Sequence, residues 1–155
     1  MNNLFFSVDG IPCALPLSRV RIVIRMVQPE PARETRPGLC GTLDFHGQII
    51  PVWSVRSFFG RPDRPPGLTD LLIVVERGQE HAALWVDETH VARQSPLASA
   101  ETEKPKVRRP LSAGVDLVED GTVLFADIFR FLAQEPLPVI SGIAASPRPH
   151  REDGR

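Results

Sequence analysis

The chain cannot run far in one conformation before a residue stops it. Sixteen prolines and 11 glycines punctuate its 155 residues, and the stretches between them are short, apolar and rich in β-branched or aromatic side chains. Proline fixes φ and removes a backbone donor, so punctuation this frequent marks a loop-rich chain, yet it stays below the level that signals disorder throughout. The runs between the breaks read as short strands joined by turns. No apolar run approaches the roughly 20 residues that a membrane-spanning helix needs. A chain of this length forms one domain, or two small subdomains sharing a buried core.

The clearest local signal is Asp9-Gly10 between the β-type runs 4–8 and 11–15. A two-residue hairpin turn needs positive φ at both central positions, which Asp and Gly tolerate. Pro12 and Pro16 place the second of these strands at an edge, or make it short. Residues 19–26 alternate: Val20, Ile22, Ile24 and Met26 face one way, and Arg19, Arg21, Val23 and Arg25 the other. That period reads as a half-buried strand with an arginine-lined outer face. Residues 28–37 form a surface loop, 39–45 lead through a turn at Phe45-His46-Gly47-Gln48 into a strand over 49–52, and 53–59 make one or two helical turns stopped by Gly60.

Residues 61–67, Arg-Pro-Asp-Arg-Pro-Pro-Gly, break the chain into two halves. The second half opens on Leu71-Leu72-Ile73-Val74-Val75, a continuous apolar strand of the kind buried on both faces. Residues 81–86 return beside it, and 87–94 continue as strand or bulge. Residues 95–110 read as a long mobile loop. A hairpin over 115–125 leads to Asp127, which caps a short helix over 128–134. Residues 136–155 read as a flexible tail. Roughly eight to ten short strands in two groups, with two short helices, make an all-β double barrel or sandwich.

Composition and motifs narrow the chemistry. Lys+Arg 18 against Asp+Glu 19 leave a formal net charge of -1, which disfavours a nucleic-acid binder. Cys13 and Cys40, without a secretory signal pattern, imply a reducing cytoplasm rather than a disulfide scaffold. The four histidines and two cysteines show no metal-ligand spacing, and neither a nucleophile elbow nor a phosphate loop occurs. No cofactor is expected. An enzymatic or ligand-binding reading would have to draw on Asp44, His46, Asp87 and His90. What stands out instead is the strand face of Arg19, Arg21 and Arg25, read either as a solvated edge protected against strand pairing or, more sharply, as a docking face for an acidic helix with Val23 as its apolar centre.

Residues 41–56, Gly-Thr-Leu-Asp-Phe-His-Gly-Gln-Ile-Ile-Pro-Val-Trp-Ser-Val-Arg, resemble the signature of the CheW family: a Gly, an Asn-Leu-Arg-Gly turn, then Ile-Pro-Val-hydrophobic-Asp-Leu-Arg. The Asp-Gly hairpin of residues 4–17 and the run Ala83-Leu84-Trp85-Val86-Asp87 are similar to two further family segments, so the resemblance extends from residue 4 to residue 132. It implies a domain over residues 1–135 made of two SH3-like five-stranded β-barrels on a shared apolar core. It also implies a protein without catalytic activity that couples the cytoplasmic tips of chemoreceptors to the regulatory domain of a CheA-type histidine kinase. Such an adaptor works in the cytoplasm at receptor arrays and does not enter the membrane. By the same likeness, Val20, Ile22, Ile24, Gly41 and His46 lie on the receptor side, and Arg56, Phe58 and Phe59 near the kinase side. Four positions depart from the family pattern: Ile22 stands for a Glu, His46 for the Arg of the turn, Asp44 for its Asn and Ser54 for the Asp before Leu-Arg. These departures fit a divergent member that binds only one of the two usual partners.

Overall fold

The computed structural model describes residues 2–34, 36–62, 64–89, 106–141 and 143. The Asp9-Gly10 hairpin forms as its residues dictate. Strand β1 (Asn3–Val8) turns into β2 (Ile11–Pro16) with φ 52° at Asp9 and 81° at Gly10. A 3-10 turn, Leu17–Arg19, leads to β3 (Val20–Arg25), then β4 (Leu39–Phe45), β5 (Gln48–Ser54) and the single-turn helix α1 (Val55–Phe58). The second half contributes β6 (Leu71–Arg77), β7 (Glu80–Val86), β8 (Glu88–Thr89), β9 (Val107–Ser112), β10 (Val115–Val118), β11 (Val123–Leu124) and α2 (Ile128–Leu132). The Asp127 side chain caps α2, accepting the Arg130 N–H at 3.2 Å.

The strands form two mixed sheets. One runs β8-β1-β2-β11-β10-β9, the other β3-β6-β7-β5-β4. The β2–β11 and β5–β7 pairs are parallel and the others antiparallel. The fold is therefore all-β in two groups with short helices, six strands in one group and five in the other. Among the described residues neither ladder closes on itself. No helix among them is long and apolar enough to cross a membrane.

The five-stranded sheet lies between two cores, and its alternation shows why both faces are apolar. Ile73 and Val75 of β6 and Ala82, Leu84 and Val86 of β7 face a large core shared with the six-stranded sheet. Leu72 and Val74 of β6, Ala83 and Trp85 of β7, and Ile50 and Val52 of β5 face a smaller one. The continuous apolar run in β6 is thus buried on both sides, as its sequence requires. In the large core, Phe125 is ringed by Phe6, Phe58, Phe59 and Phe131, with centroids 6.1–6.3 Å away.

Four expectations need correction. Strand β2 is neither at an edge nor short: it pairs with β1 on one side and β11 on the other. The prolines permit this because β11 meets β2 only at Cys13 and Ala14, between them. Strand β3 does not keep a strict alternation. A bulge at Arg21 sets Val20 opposite Val75 and Ile22 opposite Val74, so Val20 and Val23 pack on the large core while Ile24 and Met26 pack on the smaller one. Val23 therefore cannot centre an outer docking face. Strand β9 begins at Val107, inside the stretch read as loop; its arginines and Pro110 hid a strand whose pairing is irregular. Residues 95–105, the rest of that stretch, lie outside the described residues. Of the segment read as a tail, the first residues carry Ile140 into the core, 3% exposed, with its N–H donating to the Phe58 carbonyl at 2.8 Å, while residues 142 and 144–155 lie outside the described residues.

Candidate functional site

The candidate receptor-side residues occupy four settings rather than one face. Val20 is half-buried against the large core. Ile22, one bulge later, projects toward the smaller core but stays 39% exposed at its rim. Ile24, deeper along β3, is half-buried against that smaller core. Next to Ile22, the Arg21 guanidinium lies 6.0 Å above the Phe45 ring and 4.0 Å from Glu76. Phe45 meets the His46 ring edge-on at 4.4 Å. Ile22, Arg21, Phe45 and His46 thus gather at one rim of the smaller core. Among the described residues Arg25, farther along β3, is exposed and makes no ion pair.

The rim is held by its turn. His46 has φ 53° and Gly47 φ 86°, the doubly left-handed geometry of a two-residue hairpin between β4 and β5. Asp44 sustains it, its Oδ1 accepting the Gly47 N–H at 2.8 Å. Histidine is among the non-glycine residues that accept left-handed φ most readily, and the turn keeps this one exposed at its tip.

Gly41 is buried beneath a neighbouring backbone segment. Its φ is 152°, and a Cβ there would lie 2.2 Å from the Glu30 carbonyl oxygen and 2.9 Å from Pro29 Cβ. The segment around Glu30 crosses β4 as a strap, with Glu30 and Thr42 exchanging both backbone hydrogen bonds at 2.8–2.9 Å. Gly41→Asp is expected to displace this strap and lower stability by about 1–3 kcal/mol, read as a lower denaturant midpoint. An unchanged midpoint would mean that the strap gives way freely.

The candidate kinase-side residues are largely buried. Phe58 is 1% and Phe59 8% exposed, both in the large core. They point inward because α1 lies directly against that core. The Arg56 side chain, 13% exposed, is consumed in an ion cluster. It donates from Nη2 to Asp87 Oδ1 at 3.0 Å and stands 3.3 Å from Asp9 with Nη1. Arg64 bridges Asp70 and Asp87, its Nη1 at 2.9 Å from Asp70 Oδ2 and its Nη2 at 3.0 Å from Asp87 Oδ1. Asp70, 3% exposed, also accepts the Gly67 N–H at 2.8 Å and the Trp85 indole N–H at 2.9 Å. Burial alone would push the Asp70 carboxyl up. The hydrogen bonds from Arg64, Gly67 and Trp85, with the Arg64 charge, outweigh it and hold the carboxyl below its usual range.

The alternative reactive set does not assemble. Asp44 and His46 sit at the hairpin tip where β5 begins. Asp87 follows β7, which runs parallel to β5 with Ser54 opposite Trp85. The two places are therefore a strand length apart, roughly 20 Å. His90 lies outside the described residues, which hold no group of three metal-ligating side chains. Burial pushes the Cys13 thiol far up, so it packs as an apolar side chain.

Sequence reasoning missed Arg64 and Asp70. Arg64 lies in the proline-rich stretch read only as a break, and Asp70 stands just before an apolar strand. The one usable signal was Trp85: a buried indole N–H requires an acceptor.

The family model for the CheW-like domain matches residues 3–135. Among solved structures, the scaffolding protein TtCheW of Thermoanaerobacter tengcongensis superposes with a TM-score of 0.66 at 20% identity, covering 89% of this chain and 97% of that one. No curated protein matches the sequence.

Proposed function

The chain belongs to the CheW-like domain family, and from that premise we propose that it is a non-catalytic adaptor of bacterial chemosensory signalling. It joins the cytoplasmic tip of a chemoreceptor to the regulatory domain of a CheA-type histidine kinase, in the cytoplasm and at receptor arrays. The family match over residues 3–135 carries this reading. The rim supports it with a surface suited to a protein partner: an apolar centre at Ile22, flanked by Arg21 and His46 and standing on paired strands. Charges around a small apolar centre set partner choice and association rate more than affinity. Ile22 and His46 together replace what the family pattern has as a Glu and an Arg, so the partner must match an apolar, weakly basic rim.

Immobilised chemoreceptor cytoplasmic fragment and kinase regulatory domain, each titrated with the full chain, test the reading. Wild type is expected to bind both of them. Ile22→Asp should weaken receptor binding about tenfold, which is about 1.4 kcal/mol, with the melting temperature unchanged. His46→Asp keeps a residue that tolerates left-handed φ and should act in the same direction. Val20→Asp is a poorer probe, since Val20 packs on the large core. Wild type that fails to bind either one of the two rules the coupling role out.

A further inference from the structure

Asp87 stands where the chain leaves one sheet for the other: β7 ends at Val86 and β8 begins at Glu88. Its carboxylate collects donors from both sides of that passage. Oδ2 accepts the Asp9 N–H of the β1–β2 turn at 2.6 Å, while Oδ1 accepts Arg56 and Arg64, each at 3.0 Å. The Asp87 N–H donates to the Ser7 carbonyl of β1 at 3.1 Å. Asp9 is gripped in turn by Arg56 at 3.3 Å and Arg61 at 3.5 Å.

The charges divide unevenly across this junction. Asp9 is the cluster's one charged member from the six-stranded sheet. Three arginines, Arg56, Arg61 and Arg64, stand against Asp70 and Asp87, which leaves one positive charge that Asp9 neutralises. Turning one sheet on the other would break the Asp9–Asp87 bond and both ion pairs of Asp9 together. Arg56 is 13% exposed, so water would replace its lost partner Asp9 poorly.

We propose that this cluster is a clamp fixing the two sheets relative to each other, and that Asp9 and Asp87 are positioning residues for coupling. The inference rests on the adaptor reading above. A coupling protein transmits only when a change at one partner moves the other. Two halves free to turn would still bind, yet transmit little.

The test uses the full chain with Asp9→Asn and Asp87→Asn. Asn also accepts left-handed φ, so Asp9→Asn keeps the turn and its N–H and removes only the charge. Amide hydrogen exchange is followed at Asp9, Gly10 and Glu88. Affinities for a chemoreceptor cytoplasmic fragment and for the kinase regulatory domain are measured separately, and kinase autophosphorylation with all components present. Both variants should exchange about tenfold faster at these amides and keep wild-type affinities, while receptor-dependent control of the kinase falls about fivefold or more. Unchanged exchange, unchanged kinase control, or affinity lost in step with control overturns the clamp. Wild type without effect on the kinase instead fails the adaptor reading, and the exchange result then decides the clamp alone. Should Asp87→Asn not fold, Asp9→Asn carries the comparison.

Discussion

Phe125→Ala should lower the stability of the folded chain by about 3–5 kcal/mol, the range for emptying a well-packed aromatic site. Phe125 is 1% exposed and is bordered by Phe6 from β1, Phe58 of α1, Phe59 just beyond it and Phe131 of α2. These rings come from elements far apart in sequence, so the void cannot be closed by moving one of them. Collapse is resisted further because the Phe125 N–H is bonded to the Ala14 carbonyl at 2.8 Å. For a chain of this size each kcal/mol shifts the melting temperature by about 2–4 °C, which gives a drop of roughly 6–20 °C. Phe125→Leu keeps most of the volume and should lose less than half as much. A Phe125→Ala midpoint within 2 °C of wild type would show that the ring cluster does not hold the large core together.

Asp70→Ala should destabilise by about 2–4 kcal/mol. Three donors lose their acceptor at once: the Arg64 guanidinium, the Gly67 N–H and the Trp85 indole. Removing one partner of a fully buried ion pair costs about 3–5 kcal/mol, and the smaller range applies because Arg64 is about a third exposed and can turn to water. The same carboxylate gives stability an acid dependence. Its pKa is depressed in the folded state, so the unfolded chain takes up the proton first as pH falls. The contribution is complete above the unfolded value of about 3.9 and disappears as pH drops through the lower folded value. Urea midpoints between pH 5 and 2 should therefore fall less steeply in Asp70→Asn than in wild type. Parallel curves would remove Asp70 as the source of that slope.

Local rules carried much of the fold. Asp9-Gly10 and His46-Gly47 made their turns because so few residues accept left-handed φ twice in succession. The run over 71–75 declared its burial on both faces because nothing polar interrupts it. Asp127 capped its helix as a short acceptor before an apolar stripe does. The reading failed where pairing is set by distant strands. A proline strand sits inside a sheet because β11 touches only the two residues between its prolines. A one-residue bulge at Arg21 turned Val20 and Val23 inward together, which no alternation count reveals.

The candidate site was less legible for the same reason. Phe58 and Phe59 look like an exposed aromatic pair until Ile140 and α2 close over the core around them. Arg56 and Asp87 stand 31 positions apart, and Asp9 and Asp87 78 apart, so only the folded chain makes Arg56, Arg64, Asp70, Asp87 and Asp9 one cluster. Ile22 and His46 could be paired from sequence only through the family pattern, since the ring linking them to Arg21 is that of Phe45.

The strap over β4 has a consequence beyond making room for Gly41. An unpaired outer strand offers its amides to any extended segment nearby, including the same strand of another molecule. By occupying Thr42, Glu30 denies that template its middle. Shortening the Pro29–Pro31 crossing would open the row, and the chain would then be exposed to self-association through β4 at high concentration.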